Sequence, residues 1–427
     1  MDLRPEETER TEQLVACLRS FDLFETEDEK RLRSEILDRI DELSQSWIRK
    51  LSLDKNIPSA DQCRVKIFTF GSHKLGVQNR GDDIDILLVA PKHARRCDFF
   101  DSFKSSLSRM DGVSYVCAVE TAHVPVIKTK INGIDLDFVF ATLPLPTIPQ
   151  NQELSDYTLL RGLSEVDVRS LNGCRVTEEI LKLTPNRESF GLALRAIKLW
   201  AKKKGIYSQV LGYLGGVSWT ILIAYTVRLY PHAAAATIVN KFFHTFSNWS
   251  WGTPVLLKSL SRDYLIIPRF RQRGKAEYRR MPIVTPSYPE QNTSFRVTQS
   301  AKKIIINQFE QARTVTDNIM RGIATWDTFF APIDFFGQYK SFLLIAASSQ
   351  PDWSSFVESK LRELVLDLDY SGHLAHAYPY PHKSSAGDDP NTTWFIGVEY
   401  KSQVSDYIIQ TFKSMGEYLS LCRSRVI

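Results

Sequence analysis

Between Phe70 and Val89 the chain reads FGSHKLGVQNRGDDIDILLV, a Gly-Ser pair closing one apolar run and, eleven residues on, aspartates opening another. The run Val65–Phe70 is β-branched and aromatic and predicts a strand, broken by Gly71-Ser72 before a short helical segment. Gly71 allows a tight turn and close backbone approach to a ligand. Ser72, at the start of a helical turn, lies beside free backbone N–H groups and offers a hydroxyl to a phosphate oxygen. The turn-forming Asn79-Arg80-Gly81 then leads into a strand over Ile84–Val89. Side chains alternate along a strand, so Asp83 and Asp85 project from one side and Asp82 from the other. Two carboxylates so close repel each other unless a divalent cation lies between them, and hard oxygen ligands suit magnesium.

A further carboxylate comes from a hairpin. Val124–Ile131 and Ile134–Phe140 flank Asn132-Gly133, a strong two-residue turn signal, and the return strand turns Asp135 and Asp137 to one face. Alternation leaves open which of these two joins Asp83 and Asp85. A lone Asp-x-Asp commonly caps a turn or faces solvent; the glycine-serine turn, the spacing and the acidic hairpin together carry the catalytic reading, a two-metal site for nucleotidyl transfer.

With 427 residues the chain is expected to form two or three domains, and 43% hydrophobic and 24% charged residues are globular proportions. No run of about 18 apolar residues suits a membrane span. The polar start MDLRPEETERTEQ is no secretory signal, and six scattered cysteines without metal spacing read as reduced thiols of an intracellular protein. The sequons at Asn248, Asn292 and Asn391 are then expected to be chance occurrences. Residues 183–330 carry 21 Lys and Arg against 7 Asp and Glu, within a net charge of only +5. Such a basic segment suits a polyanion, although any one cluster in it also reads as a solvated helix face.

Helices are expected over Thr11–Leu23, Asp28–Leu51, Val176–Tyr230 (interrupted), Thr237–Trp249, Thr298–Arg321 and Trp353–Leu368, with late strands over Phe342–Ala347 and Thr393–Tyr400. Prolines 144, 146 and 149 mark a boundary. In LRAIKLWAKKKGIYSQVLGYLGGVSW, Ile197, Trp200 and Ala201 read as inward-facing and Lys198 as a point charge for a triphosphate. Tyr207 offers a phenolic donor, Gly215-Gly216 allows close approach to a flat base, and Val217 gives that base an apolar surface.

The stretches FGSHKLGV, GDDIDILLV, GIDLDFVFATL, RSLNGCRVTEEIL, LRAIKLWAKKKGIYSQVLGYLGGVSW, LYPHA and MPIVTPSYPEQNTS, in order along nearly the whole chain, resemble the eukaryotic nuclear-type poly(A) polymerases of the nucleotidyltransferase superfamily. The resemblance implies an α/β + α chain: a mixed-sheet nucleotidyltransferase palm (41–145), a helical central domain (1–40 with 146–330) and a C-terminal RNA-recognition-like α/β module (331–427). It implies Asp83, Asp85 and Asp137 as catalytic metal ligands, choosing Asp137 over Asp135. It also implies nucleotide binding by Phe70, Gly71, Ser72, Asn172, Lys198, Tyr207, Gln209, Gly216 and Val217. Gln209 stands where the family usually has asparagine. Two Mg2+ ions, with Mn2+ as a substitute, are the implied cofactors; ATP and an RNA 3′ end are the substrates.

The implied protein is a nuclear monomer that meets cleavage and polyadenylation subunits and no membrane. The cytoplasm, a uridylyl- or CCA-adding relative, an oligoadenylate synthase and a non-catalytic RNA-binding relative are the alternatives. No RNP-type aromatic motif is recognisable after Trp326, so backbone binding is expected of that module. A Ser/Thr-rich basic tail, known in larger relatives, does not follow Ile427, so import through such a tail is not implied. No histidine is placed as a general base, and His73 is expected to be an incidental surface group.

Overall fold

The computed structural model describes residues 4–260, 280–348, 353–381 and 391–401. The chain divides into two compact units. The first comprises Met1–Lys203, Leu214–Phe295 and Phe309–Ala331, and the second comprises Lys204–Tyr213, Arg296–Gln308 and Pro332–Ile427.

Unit 1 begins with helices α1 (Pro5–Ser20) and α2 (Glu27–Asp54). The start of α2 is fixed by a reciprocal cap: the Glu29 amide donates to Thr26 Oγ1 at 3.2 Å and the Thr26 amide donates to the Glu29 carboxylate at 2.8 Å. Such a capping box stabilises a helix by about 1 kcal/mol. The buried stripe Ile36, Ile40, Trp47, Ile48 lies against one face of a five-stranded sheet.

That sheet comprises β1 (Lys66–Phe70), β2 (Ile84–Pro91), β3 (Val113–Val119), β4 (Val126–Ile131) and β5 (Ile134–Leu143), in the order β1-β2-β5-β4-β3. Only β2 and β5 run parallel. The one-turn α3 (Gly71–Lys74) follows β1, and α4 (Arg96–Asp98), a π-helical Phe99–Phe103 and α5 (Lys104–Leu107) join β2 to β3. The expected hairpin is present, with both Asn132 (φ 48°) and Gly133 (φ 82°) left-handed, as a two-residue hairpin turn requires.

The alternation of the strands sorts the palm into two sides. Ile84, Ile86, Leu88, Ile127, Ile131, Leu136 and Phe138 face α2 and the α4–α5 segment. Leu87, Val89, Val139 and Ala141 face the opposite side, where Leu171 and Cys174 of α6 (Glu165–Leu183) cover them. This second layer covers the later residues of β2 and β5 and leaves the aspartates at the N-terminal ends of both strands at its border.

Further along unit 1 are α7 (Arg187–Lys203), α8 (Gly216–Leu229) and α9 (Ala235–Ser247). Trp200 of α7 is wholly buried among the rings of Trp219, Phe243, Phe309 and Phe329. Phe309 belongs to α10 (Gln299–Met320), and Phe329 to the short α11 (Trp326–Phe330).

Unit 2 holds the short α12 (Phe335–Gln338), then β6 (Ser341–Ser348), α13 (Trp353–Ser371), β7 (Leu374–Pro379) and β8 (Asn391–Tyr400). The strands form an antiparallel sheet in the order β6-β8-β7, with Val365 and Leu368 of α13 packed on one face. Strand, helix, strand, strand with the third strand in the middle matches the first four of the six elements of a split βαβ module.

The helix expected to begin at Thr11 starts at Pro5 because Pro5, at the first helical position, fits there without loss of a hydrogen bond. Six of the basic residues between 183 and 330 lie in 261–279, outside the described residues, as does the C-terminal stretch 402–427. Five cysteines are free thiols among the described residues. Asn292 is buried and its side-chain oxygen accepts from the amides of Ile283 and Ser294, so a glycan has no access there. No helix of the described residues is long and apolar enough to cross a membrane.

Candidate active site

The parallel pairing of β2 with β5 places Asp85 directly beside Asp137. Carboxylate oxygens of Asp83, Asp85 and Asp137 all lie within 4.8 Å of one another, the one such acidic cluster among the described residues. Alternation left Asp135 open, and the register resolves it. Asp135 is paired across β4 with Lys130, at 3.2 Å, and accepts from the Tyr115 hydroxyl at 3.4 Å, one rung away from the cluster.

The electrostatics are those of a cation site. Burial first, then the charges of Asp83 and Asp137, push the Asp85 carboxyl up to about 7. Burial, then the charges of Asp137 and Asp82, raise Asp83. Lys128, opposite Asp137 on β4, donates to its carboxylate at 2.5 Å and relieves part of the repulsion. Three carboxylates converging at this separation, one of them held near neutral, are a donor set that fits a hard divalent cation.

The turn between β1 and β2 is fastened from several sides. Gly71 has φ 61°, its amide donates to Thr177 Oγ1 of α6 at 3.3 Å, and a Cβ at this position would overlap the Asp85 carboxylate. The Asn79 amide donates to Asp82 Oδ2 at 3.0 Å, which makes Asp82 the brace of the turn and not a member of the cluster. Arg33, buried and paired with Glu25, donates to the Asp82 carbonyl at 2.6 Å, and Gln78 donates to the Asp83 carbonyl at 3.0 Å. Ser72 lies in the turn of α3 just after Gly71, and the Phe70 ring packs into the second core layer against Gly173.

Lys198 is buried on α7, and Ile197, Trp200 and Ala201 face inward as the periodicity required. Its ammonium lies 4.0 Å from Asp82 Oδ2, and burial lowers its pKa. Asn172 of α6 is also buried, and its side-chain oxygen has no hydrogen-bond partner, an acceptor of the kind a ligand satisfies. Gly216 opens α8 and Val217 is 48% exposed. Tyr207 and Gln209 belong to unit 2.

His73 is a correction. It is half-buried rather than a surface group, its Nδ1 is enclosed without a hydrogen-bond partner, and burial, then Arg33 and Lys74, lower its pKa. Reading along the sequence missed Lys128, Asp82 and Thr177. Lys128 was within reach, since a two-residue turn at Asn132-Gly133 fixes the pairing of 128 with 137; the other two depend on how the turn and α6 meet in space.

Three family descriptions match consecutive parts of the chain: the poly(A) polymerase nucleotidyltransferase domain over residues 3–184, the poly(A) polymerase central domain over 189–332 and the poly(A) polymerase predicted RNA binding domain over 334–390. The chain belongs to the poly(A) polymerase family. Curated relatives in this family include a poly(A) polymerase of Dictyostelium discoideum, 36% identical over 96% of this chain and 53% of its own length. Nuclear poly(A) polymerase 1 of Arabidopsis thaliana is 37% identical over 92% of this chain and 57% of its own length. Poly(A) polymerase pla1 of Schizosaccharomyces pombe is 40% identical over 86% and 66%. The chain thus spans between half and two thirds of the length of these relatives. Among solved structures, the Cid1 poly(U) polymerase shares the fold, at 15% identity and a TM-score of 0.56 over 76% of this chain and 99% of that one.

Proposed function

We propose that this chain is a polynucleotide adenylyltransferase that adds AMP from ATP to the 3′-hydroxyl of RNA without a template. The observation that carries the reading is the cluster Asp83, Asp85 and Asp137, within the stretch that matches the poly(A) polymerase nucleotidyltransferase domain. A bond forms between the RNA 3′-oxygen and the α-phosphorus of ATP, and the bond to the bridging oxygen breaks. Pyrophosphate departs with the electron pair, and the hydroxyl proton passes to solvent. Two magnesium ions held by the three aspartates would activate the hydroxyl and neutralise the leaving phosphates.

The chain's own residues position the nucleotide. Ser72 and Lys198 hold phosphate oxygens, the ammonium leaving Asp82 for the stronger anion. Asn172 gives its unpartnered oxygen to the nucleotide, and Gly216 and Val217 present backbone and apolar surface to the base. Phe70 and Gly71 shape the approach to the phosphates, and Tyr207 and Gln209 take the phosphate and base roles that the resemblance assigns. Work of this kind lowers a barrier by orientation and charge placement and needs no protein base. The name of one relative, nuclear poly(A) polymerase 1, favours the nucleus, and partners from the cleavage and polyadenylation machinery are what the family resemblance implies.

Primer extension with each of the four nucleoside triphosphates tests the proposal. Poly(A) from ATP and magnesium is the expected product; poly(U), a short CCA addition or no product overturns it. In the same assay Asp137→Asn is expected to reduce extension by at least about a hundredfold, the scale for loss of a direct transition-state contact, and Asp135→Asn by less than about threefold. Equal losses would remove Asp137 from the ligand set.

A further inference from the structure

A concavity of about 630 Å³ lies in the helical layer of the palm, between α2 and the segment that joins β2 to β3. That layer covers the sheet face carrying Ile84 and Ile86, and Asp83 and Asp85 alternate with those residues and point to the other face. Three contacts make the two walls antiparallel. Lys55 pairs with Asp98, the Trp47 indole donates to Ser102 Oγ at 2.8 Å, and the Arg39 guanidinium donates to the Asp111 carbonyl at 2.7 Å. The floor is apolar, with Leu43, Trp47 and Leu51 on one side and Phe100 on the other. From Leu43 to Asp54 the trench follows α2 for about 16 Å, three helical turns.

The second wall is made of small side chains whose donors are already used. The hydroxyls of Ser102, Ser105, Ser106 and Ser108 each donate to the carbonyl four residues back, at 2.7 to 2.9 Å. Such a surface can be covered without stranding a donor. Phe100 reaches the floor from the π-helical turn Phe99–Phe103, a rare form that recurs at functional sites. Charge is uneven along the trench: Asp54 and Asp101 lie at one end, Lys104 and Arg109 towards the other, and Lys50 between them. None of these five makes an ion pair among the described residues.

We propose that this trench docks an amphipathic helix of a partner protein. The helix is about three turns long, with apolar residues at spacings of three and four for the floor, acidic residues at the end that meets Lys104 and Arg109, and basic residues at the end that meets Asp54 and Asp101. Shape decides the form of the occupant, since a trench between two helices accepts the ridge of a third. Charge decides its chemistry. RNA would meet the two carboxylates and find no ring to stack on, because Trp47 and Phe100 are only 5% and 6% exposed. A small anion would use the cations and leave the apolar floor uncovered. A partner held here lies across the sheet from Asp83, Asp85 and Asp137, so the site suits recruitment of the protein with its acidic cluster left accessible.

Fluorescence anisotropy with the full chain tests this, without ATP or RNA. The probes are two labelled 18-residue helical peptides with the same leucine stripe: the first carries glutamates in one half and lysines in the other, and the second carries lysines throughout. The first is expected to bind the wild type about tenfold more tightly, the scale of two or three exposed ion pairs. Lys104→Glu combined with Arg109→Glu should reverse that preference, and Ser46→Trp, which fills the trench, should abolish binding of the first peptide. Ser46 and Arg109 are exposed and Lys104 is half-exposed, so the variants should keep the wild-type midpoint in urea. A first peptide that binds no better than the second, or that Ser46→Trp leaves bound, overturns the proposal. Binding of labelled oligo(A) that Ser46→Trp weakens would make the trench an RNA site and overturns it as well.

Discussion

Asp85→Asn is expected to abolish nucleotide addition and, at the same time, to make the metal-free protein more stable at neutral pH. Asp85 is enclosed between Gly71 and the two other carboxylates, and burial, then Asp83 and Asp137, lift its carboxyl to about 7. Unfolded, the same group titrates near 4. The folded state therefore holds the proton more tightly. The stabilising contribution is fully present below about pH 4 and is lost as pH rises through about 7, after which the folded protein carries a half-buried, repelled anion. Lys128 and Lys198 offset part of that cost, and relaxation screens more of it. Asparagine of the same shape removes it, so the variant should gain about 2 kcal/mol over wild type at pH 8 and nothing at pH 4.

Urea unfolding of metal-free protein at several pH values reads the difference directly. Added magnesium should stabilise the wild type and leave the variant unmoved, with a proton released on binding below pH 7. The rate of primer extension should fall on the order of a thousandfold, about 4 kcal/mol of transition-state stabilisation. A variant no more stable than wild type at pH 8 removes the repulsion; a variant that still extends primers removes the metal site.

The cluster was legible in the sequence because two local rules combine. Period-two alternation sets which aspartates share a face, and Asn132-Gly133 sets the hairpin that returns Asp137 to the sheet. Neither rule brings β5 beside β2. That parallel pairing spans some fifty residues, and only the resemblance, not periodicity, chose Asp137 over Asp135 before the register settled it. The inward face of α7 was equally legible from its spacing, and so was the exceptional position of Lys198 upon it. His73 was misread because no local pattern reports burial of a polar side chain in a turn; burial, and then the charge of Arg33, fifty residues before the aspartates in sequence, lowers its pKa. The same limit applies to Asp82, which by alternation points away from Asp83 and Asp85 and whose role as a brace depends on the Asn79 amide and on Lys198.

Gly71→Ala is expected to disable the site by moving Asp85 and not merely by straining the chain. At φ 61° an alanine costs about 1 kcal/mol, which a protein of this size tolerates. The added methyl has nowhere to go: its ideal position overlaps the Asp85 carboxylate, and the backbone is fastened by Thr177 on one side and by the Leu75 amide donating to the Gly71 carbonyl at 3.1 Å on the other. Asp85 must rotate or shift by about an ångström, and a metal ligand displaced that far loses on the order of a hundredfold in rate. Gly76→Ala separates the two effects, since Gly76 has φ 70° and open space where its Cβ would lie. It should lose the same 1 kcal/mol or so in urea unfolding and keep its rate of extension. Because Gly71→Ala acts through the carboxylate that Asp85→Asn removes, the double variant should be no slower than Asp85→Asn alone. Additive losses, or a Gly76→Ala as slow as Gly71→Ala, would mean that the turn matters for its conformation and not for the oxygen it leaves room for.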